Sequence, residues 1–162
     1  MQTAESEDKE YIRAKNSAYR YLTYRPRSGA EIESKLRDKE FKDAVVRRVI
    51  DDLIRLGYVN DREFAWQWTL SRVRLRGFGR RRIEQELRNK GIDRDIIYET
   101  FAGLFEEYSE FETAKQAARK KLATLKSSDR ETRRRRLAGF LERKGFPYEI
   151  ISRVLREIER DR

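Results

Sequence analysis

Arginine is concentrated in this chain at spacings that suit the holding of anions. Between positions 72 and 82 stand Arg72, Arg74, Arg76, Arg80, Arg81 and Arg82, six cations in eleven positions with no acid among them and Gly77-Phe78-Gly79 at their centre. A guanidinium presents a planar fork of donors that grips phosphate or carboxylate through two parallel hydrogen bonds. The two glycines free the backbone to turn around such a group. The same pattern also describes a solvated helix end followed by a glycine-permitted turn, with Phe78 either covering the core or stacking on a partner. A second tract, from Lys115 to Arg136, carries Lys115, Arg119, Lys120, Lys121, Lys126, Arg130, Arg133, Arg134, Arg135 and Arg136 against only Asp129 and Glu131. That surplus is most of the net charge of +10. Each phosphate so neutralised steepens the salt dependence of binding by about 0.9 in log–log slope. Two solvated helix faces joined by a loop would look alike in sequence.

Other chemistry has little material. Histidine and cysteine are absent, which removes imidazole bases, thiol nucleophiles, disulfides and the commonest zinc ligands. Carboxylates stand in pairs at Asp51-Asp52, Glu106-Glu107 and Glu84 with Glu86. Adjacent helical residues point about 100° apart, so the adjacent pairs do not converge on one metal or one proton. Gly77-Phe78-Gly79 lacks the further glycine and the preceding strand of a dinucleotide loop, and no Walker-type loop occurs. Enzymatic activity, a cofactor and a metal are therefore not expected. Phe64 and Trp68 share one helical face, as core residues do, while Trp66 lies on another. Few aromatics interleave with the basic clusters, so a base-stacking groove is poorly supported.

The elements that position these cations are helices in a repeat. With Leu36, Leu87 and Leu141 in register, the residue four before each is Ile32, Ile83 or Leu137, and five after come Phe41, Ile92 and Phe146. The match continues through Val45-Val46, Ile96-Ile97 and Ile150-Ile151 to Leu53, Leu104 and Ile158. A period of about 50 residues marks a modular array in which each unit buries apolar surface against its neighbours. Apolar residues are 38% and charged residues 42% of the chain, which favours a thin body over a thick core. A compact chain of this length has a radius of gyration of about 15 Å, and the array predicts a larger one.

Capping signals set the helix starts: Ser28 with Glu31, Asn60 with Glu63, Ser109 with Glu112 and Ser128 with Glu131 have capping-box spacing. Gly57, Gly91 and Gly145 mark helix ends, and Pro147 suits a first turn. The expected helices cover 7–23, 28–38, 42–56, 61–75, 80–90, 93–107, 110–125, 129–143 and 147–160. The fold class is all-α, an elongated array of three tandem three-helix modules over 1–60, with a polar tail at 1–7, then 61–108 and 109–162. The last two helices of each module form a hairpin like a helix-turn-helix, a likeness any three-helix unit can show. No apolar stretch approaches the roughly 20 residues of a membrane span, and the acidic start is unlike a signal peptide, so a cytoplasmic protein without membrane contact is expected.

Several segments carry a family resemblance. Arg25-Pro26-Arg27-Ser28, Gly57-Tyr58-Val59-Asn60-Asp61-Arg62-Glu63-Phe64-Ala65, Arg76-Gly77-Phe78-Gly79-Arg80-Arg81-Arg82-Ile83, Glu86 to Ile92 and Phe140 to Phe146 resemble the RecX recombination regulators in order and spacing. The first module departs from the pattern at Glu40, where the other two turns have glycine. The resemblance implies a monomeric partner of the RecA recombinase filament on single-stranded DNA that inhibits ATP hydrolysis, strand exchange and co-protease activity. The alternative is a sequence-independent DNA-binding protein acting without recombinase. On composition, the residues expected to contact filament or nucleic acid are Arg72, Arg74, Arg76, Arg80, Arg81, Arg82, Lys120, Lys121, Arg133, Arg134, Arg135 and Arg136.

Overall fold

A computed structural model describes residues 2–125 and 129–160. Among the described residues nine α-helices follow one another with no strand: α1 (Gln2–Tyr24), α2 (Gly29–Arg37), α3 (Asp43–Arg55), α4 (Asp61–Ser71), α5 (Arg80–Asn89), α6 (Arg94–Glu107), α7 (Glu110–Thr124), α8 (Arg130–Arg143) and α9 (Tyr148–Arg160). The array is all-α, as its periodicity predicts.

The helix starts follow from their caps. Ser28 Oγ accepts from the Glu31 N–H at 3.1 Å, and the Glu31 carboxylate accepts from the Ser28 N–H at 3.2 Å, closing a capping box. Asn60 and Ser109 accept from the N–H groups of Glu63 and Glu112. The expected pairing of Ser128 falls outside the described residues; α8 is capped by Asp129, which accepts from the Thr132 N–H at 2.8 Å. Pro147 stands just before α9, its carbonyl taking the Ile151 N–H.

Two elements differ from expectation. α1 begins at Gln2 instead of residue 7; further along it, Asp8 pairs with Arg48, and Glu10 accepts the N–H of Lys42 at the start of α3, which has no side-chain cap of its own. The expected helix over 61–75 changes character at Arg72–Arg76, which form a π-helical turn. Such a turn shifts the residues after it around the helix axis, and Leu75 is left 80% exposed.

Three separate apolar clusters hold the array together. Ile32, Ile83 and Leu137, in register in the sequence, are all buried, as are Leu36, Leu87 and Leu141. Each set packs with its own trio: α1–α3 around Val46, Val49 and Leu53, α4–α6 around Leu104, and α7–α9 around Phe146 and Val154. All the extensive helix–helix contacts lie within a trio. The accessible surface of 10960 Å² for 19.6 kDa exceeds by about a quarter the ~8,600 Å² of a compact monomer. The body is elongated.

Neighbouring trios meet through one repeated joint. The N-terminus of the second helix in a trio receives the turn between the second and third helices of the next. At the first joint Ser28 Oγ donates to the Lys90 carbonyl at 2.6 Å. At the second, Gly79 N–H donates to the Lys144 carbonyl at 2.8 Å and Arg81 N–H to the Gly145 carbonyl at 3.1 Å. Gly91 and Gly145 have φ of 71° and 89°, and a Cβ on them would lie 2.3 Å from Ala30 Cβ and 2.4 Å from Arg82 Cβ. Glu40, at the same register position in the first trio, also has positive φ, 61°, and among the described residues no other trio docks on it. The departure of Glu40 from glycine follows: the turn needs the left-handed conformation everywhere, and the bare α-carbon only where a neighbour docks.

Candidate functional site

The two joints share a backbone and differ in charge. In register, Lys90 and Lys144 are the same turn lysine, and Glu31 and Arg82 are the same position on the second helix. At the first joint Lys90 Nζ donates to Glu31 at 3.0 Å, Arg25 binds the same carboxylate at 2.7 Å, and Asp61 accepts the Gly29 N–H at 2.8 Å. Burial would raise the Glu31 carboxyl, yet hydrogen bonds from Arg25, Lys90 and the Ser28 N–H outweigh it and bring it down to about 2. The first joint satisfies its own charges.

At the second joint the position of Glu31 is taken by Arg82, a cation. Lys144 Nζ donates to the Arg76 carbonyl at 2.5 Å. Burial pushes the Lys144 ammonium below its usual value, and the charges of Arg82, Lys120 and Arg76 push it the same way. Arg76, Lys120 and Lys144, but not Arg82, border an open cleft of about 630 Å³ between the second and third trios, with Arg74 and Tyr108 also in its wall. The acid that ties the joint together is Glu110, which accepts the Arg80 N–H at 2.9 Å and pairs with its guanidinium at 3.3 Å. Burial raises this carboxyl, opposed by the Arg80 N–H and by the charges of Arg80 and Arg81.

The expected contact residues therefore separate by occupation. Arg72 is half-buried over the Trp68 ring and bonded to Glu86 at 2.6 Å. Arg74 donates to the Tyr108 hydroxyl, Arg80 is held by Glu110, and Arg82 lies over Phe78 at 3.8 Å and 3.6 Å from Glu86. Lys121 lies near the Phe140 ring, and Arg134 pairs with Glu159 at 2.5 Å. Arg76, Arg81, Lys120, Arg135 and Arg136 are exposed and form no ion pair among the described residues, although the charge of Arg81 acts on Glu110. Arg133 and Arg134 border a separate pocket of about 230 Å³ over Leu122, Leu137, Leu155 and Ile158. The structure thus brings Arg76 and Lys120 together across the second joint. Lys144 is a member of this cluster that composition overlooks, and its register with Lys39 and Lys90 is the signal that finds it.

The remaining candidates resolve as packing. Phe64 and Trp68 stack at 5.6 Å within the central core. Trp66 is half-buried against Gly103, where an added Cβ would come within 3.1 Å of its ring. The carboxylate pairs diverge: Asp52 accepts from Tyr11 and Arg55, Glu84 pairs with Arg88 and Glu86 with Arg72. Among the described residues no group of acids is placed to hold a metal ion, and no helix is long and apolar enough to cross a membrane.

Fold and site together define a tandem helical-repeat protein built from three-helix units, with a self-neutralised joint at one end and a cationic joint at the other. Family models for the first, second and third three-helix domains of RecX match residues 14–53, 60–100 and 107–155 in that order. The regulatory protein RecX of Amycolatopsis mediterranei is 37% identical over 154 residues, 93% of this chain and 87% of the relative. That of Clostridioides difficile is 36% identical over 152 residues, 94% and 71% of the two chains. The crystal structure of RecX from Lactobacillus salivarius superposes with a TM-score of 0.83 at 25% identity, covering 94% of this chain and 98% of the other. The chain belongs to the RecX family of regulatory proteins.

Proposed function

We propose that this protein binds the RecA recombinase filament assembled on single-stranded DNA and restrains it, lowering its ATP hydrolysis, strand exchange and co-protease activity. The observation that carries the reading is the match of all three RecX domains, in order, along the array. Physical chemistry supports the partner: an elongated body with +10 net charge suits a long surface that displays acidic side chains and phosphates. In this reading the modules divide at 60/61 and 108/109, and the protein acts as a cytoplasmic monomer laid across more than one protomer. Arg76, Arg81, Lys120, Arg135 and Arg136 are its foremost contacts, since none of them is held in an ion pair among the described residues.

The test is the single-stranded-DNA-dependent ATPase of the cognate recombinase, titrated with this protein. Inhibition well below one copy per DNA-bound protomer is expected, and no inhibition at saturation overturns the reading. A second reading, sequence-independent binding to DNA without recombinase, is favoured by the unpaired cations of the second joint. Bare-DNA binding tight enough to account for the inhibition selects it.

A further inference from the structure

The first joint sets a carboxylate against its turn lysine, and the second does not, its acids Glu110 and Glu86 being engaged by Arg80 and by Arg72 and Arg82. Glu31 places a carboxylate between Lys90 and Arg25 and against the N–H of Ser28. At the equivalent place in the second joint, helix α5 presents Arg82, and the turn lysine Lys144 faces Arg76, Lys120 and Arg82. Like charges gathered in a partly desolvated joint repel one another at the expense of the folded state. The backbone docking of Gly79 on Lys144 and of Arg81 on Gly145 prevents the lysine from moving away with its turn. Glu107 and Glu112 border the same cleft, but neither forms an ion pair with these cations among the described residues.

We propose that the cleft between the second and third trios, walled by Arg74, Arg76, Lys120 and Lys144, is a binding site for phosphate groups of a nucleic-acid strand. The proposal rests on the functional reading above for the strand as ligand, and on the charge reversal between Glu31 and Arg82 for the site. A phosphate oxyanion occupies the role that the Glu31 carboxylate fills at the first joint. Glu31 balances Lys90 and Arg25 there, whereas Arg76, Lys120 and Lys144 gather at the second joint with no ion pair among the described residues, a charge that consecutive phosphates of a strand balance better than a single acidic side chain. The cleft, at about 630 Å³, is open enough for a strand to pass. Because Arg76 comes from the second trio and Lys120 and Lys144 from the third, a bound phosphate also bridges the two trios.

The test uses the full chain, the double variant Lys120→Ala/Lys144→Ala and the single variant Arg82→Glu, which gives the second joint the carboxylate of the first. One arm measures binding of a fluorescent oligodeoxythymidylate across a range of salt. The wild-type log–log slope should exceed that of both variants by roughly 0.7 for each phosphate contact removed. A second arm compares melting in millimolar inorganic phosphate with chloride of equal ionic strength. The wild type should gain more from phosphate than Arg82→Glu, and a shift common to both is the general salting effect of that ion. A third arm substitutes polyglutamate for the oligonucleotide. Equal slopes in all three proteins overturn the site. A phosphate response with unchanged oligonucleotide slopes assigns it to free phosphate and overturns the strand as its source. Losses confined to polyglutamate assign it to an acidic protein, also against the proposal. No recombinase is present, so failure here leaves the filament reading standing, and failure of the ATPase test leaves this site standing.

Discussion

The two joints between trios are the same mechanical device with opposite electrostatics. Both dock a glycine-bearing turn onto the start of a helix, and both place a lysine beside the same helical position. Glu31 at that position binds Lys90 and makes the first joint a closed ionic lock; Arg82 at that position leaves Lys144 among cations. Repetition thus separates what the architecture needs from what function adds. Glycine in the turn is architectural, since it recurs wherever a neighbour docks and is replaced by Glu40 where none does. The charge opposite the lysine differs between the two joints, and on the proposal above its reversal leaves the second joint available to a partner.

The comparison can be broken most severely at the shared mechanism. Gly145→Ala forces a Cβ to 2.5 Å from the Arg82 backbone nitrogen at a φ of 89°, and overpacking plus left-handed strain should cost about 3 kcal/mol. Gly57→Ala has φ 76° but open space around it, so urea unfolding should show a loss of only about 1 kcal/mol. Equal losses would mean that conformation alone, and not docking, demands glycine.

Next in size is the lock. Glu31→Gln should cost about 2 kcal/mol at pH 7, since hydrogen bonds to a charged partner are lost. The native carboxyl lies at about 2 against an ordinary 4.5, so this stabilisation is fully present above pH 4.5 and disappears as the pH falls through 2. Unfolding of both proteins at pH 7, 4 and 2 should show the difference shrinking; a constant gap contradicts the lock. Lys90→Met should likewise cost about 2 kcal/mol, and Lys144→Met should stay within about 0.5 kcal/mol of neutral, because its lost hydrogen bond is offset by relief of repulsion. Lys144 has the same slope for the opposite reason: its lowered ammonium pKa means that the charged form is the disfavoured one, so its contribution improves as the pH rises toward 10.5.

The smallest effect concerns the free turn. Glu40→Gly removes left-handed strain at φ 61° with no docking partner to disturb, and should raise stability by about 0.5 kcal/mol, seen as a small increase in Tm.

Helix number, caps and register were readable because they depend on residues a few positions apart. Ile32, Ile83 and Leu137 announce equivalent core sites by spacing alone. Partners across a joint were not readable, because Glu110 meets Arg80 and Glu31 meets Lys90 only after two trios have docked. Counting arginines therefore gave Arg72, Arg80 and Arg134 the same weight as Arg76, although Glu86, Glu110 and Glu159 engage the first three. Lys144 is isolated from the basic tracts in sequence and joins them only in space. The π-helical turn at Arg72–Arg76 leaves no mark in apolar periodicity.

The most direct measurement is inhibition of the recombinase ATPase on single-stranded DNA by wild type and Arg82→Glu, side by side at one salt concentration. If the second joint is the working one, the variant should keep the wild-type helical content, though it loses the Arg82 contacts to Phe78 and Glu86, and should need at least about tenfold more protein for half-inhibition, equivalent to about 1.4 kcal/mol of binding. Equal inhibition by the two proteins would contradict the assignment of function to that joint.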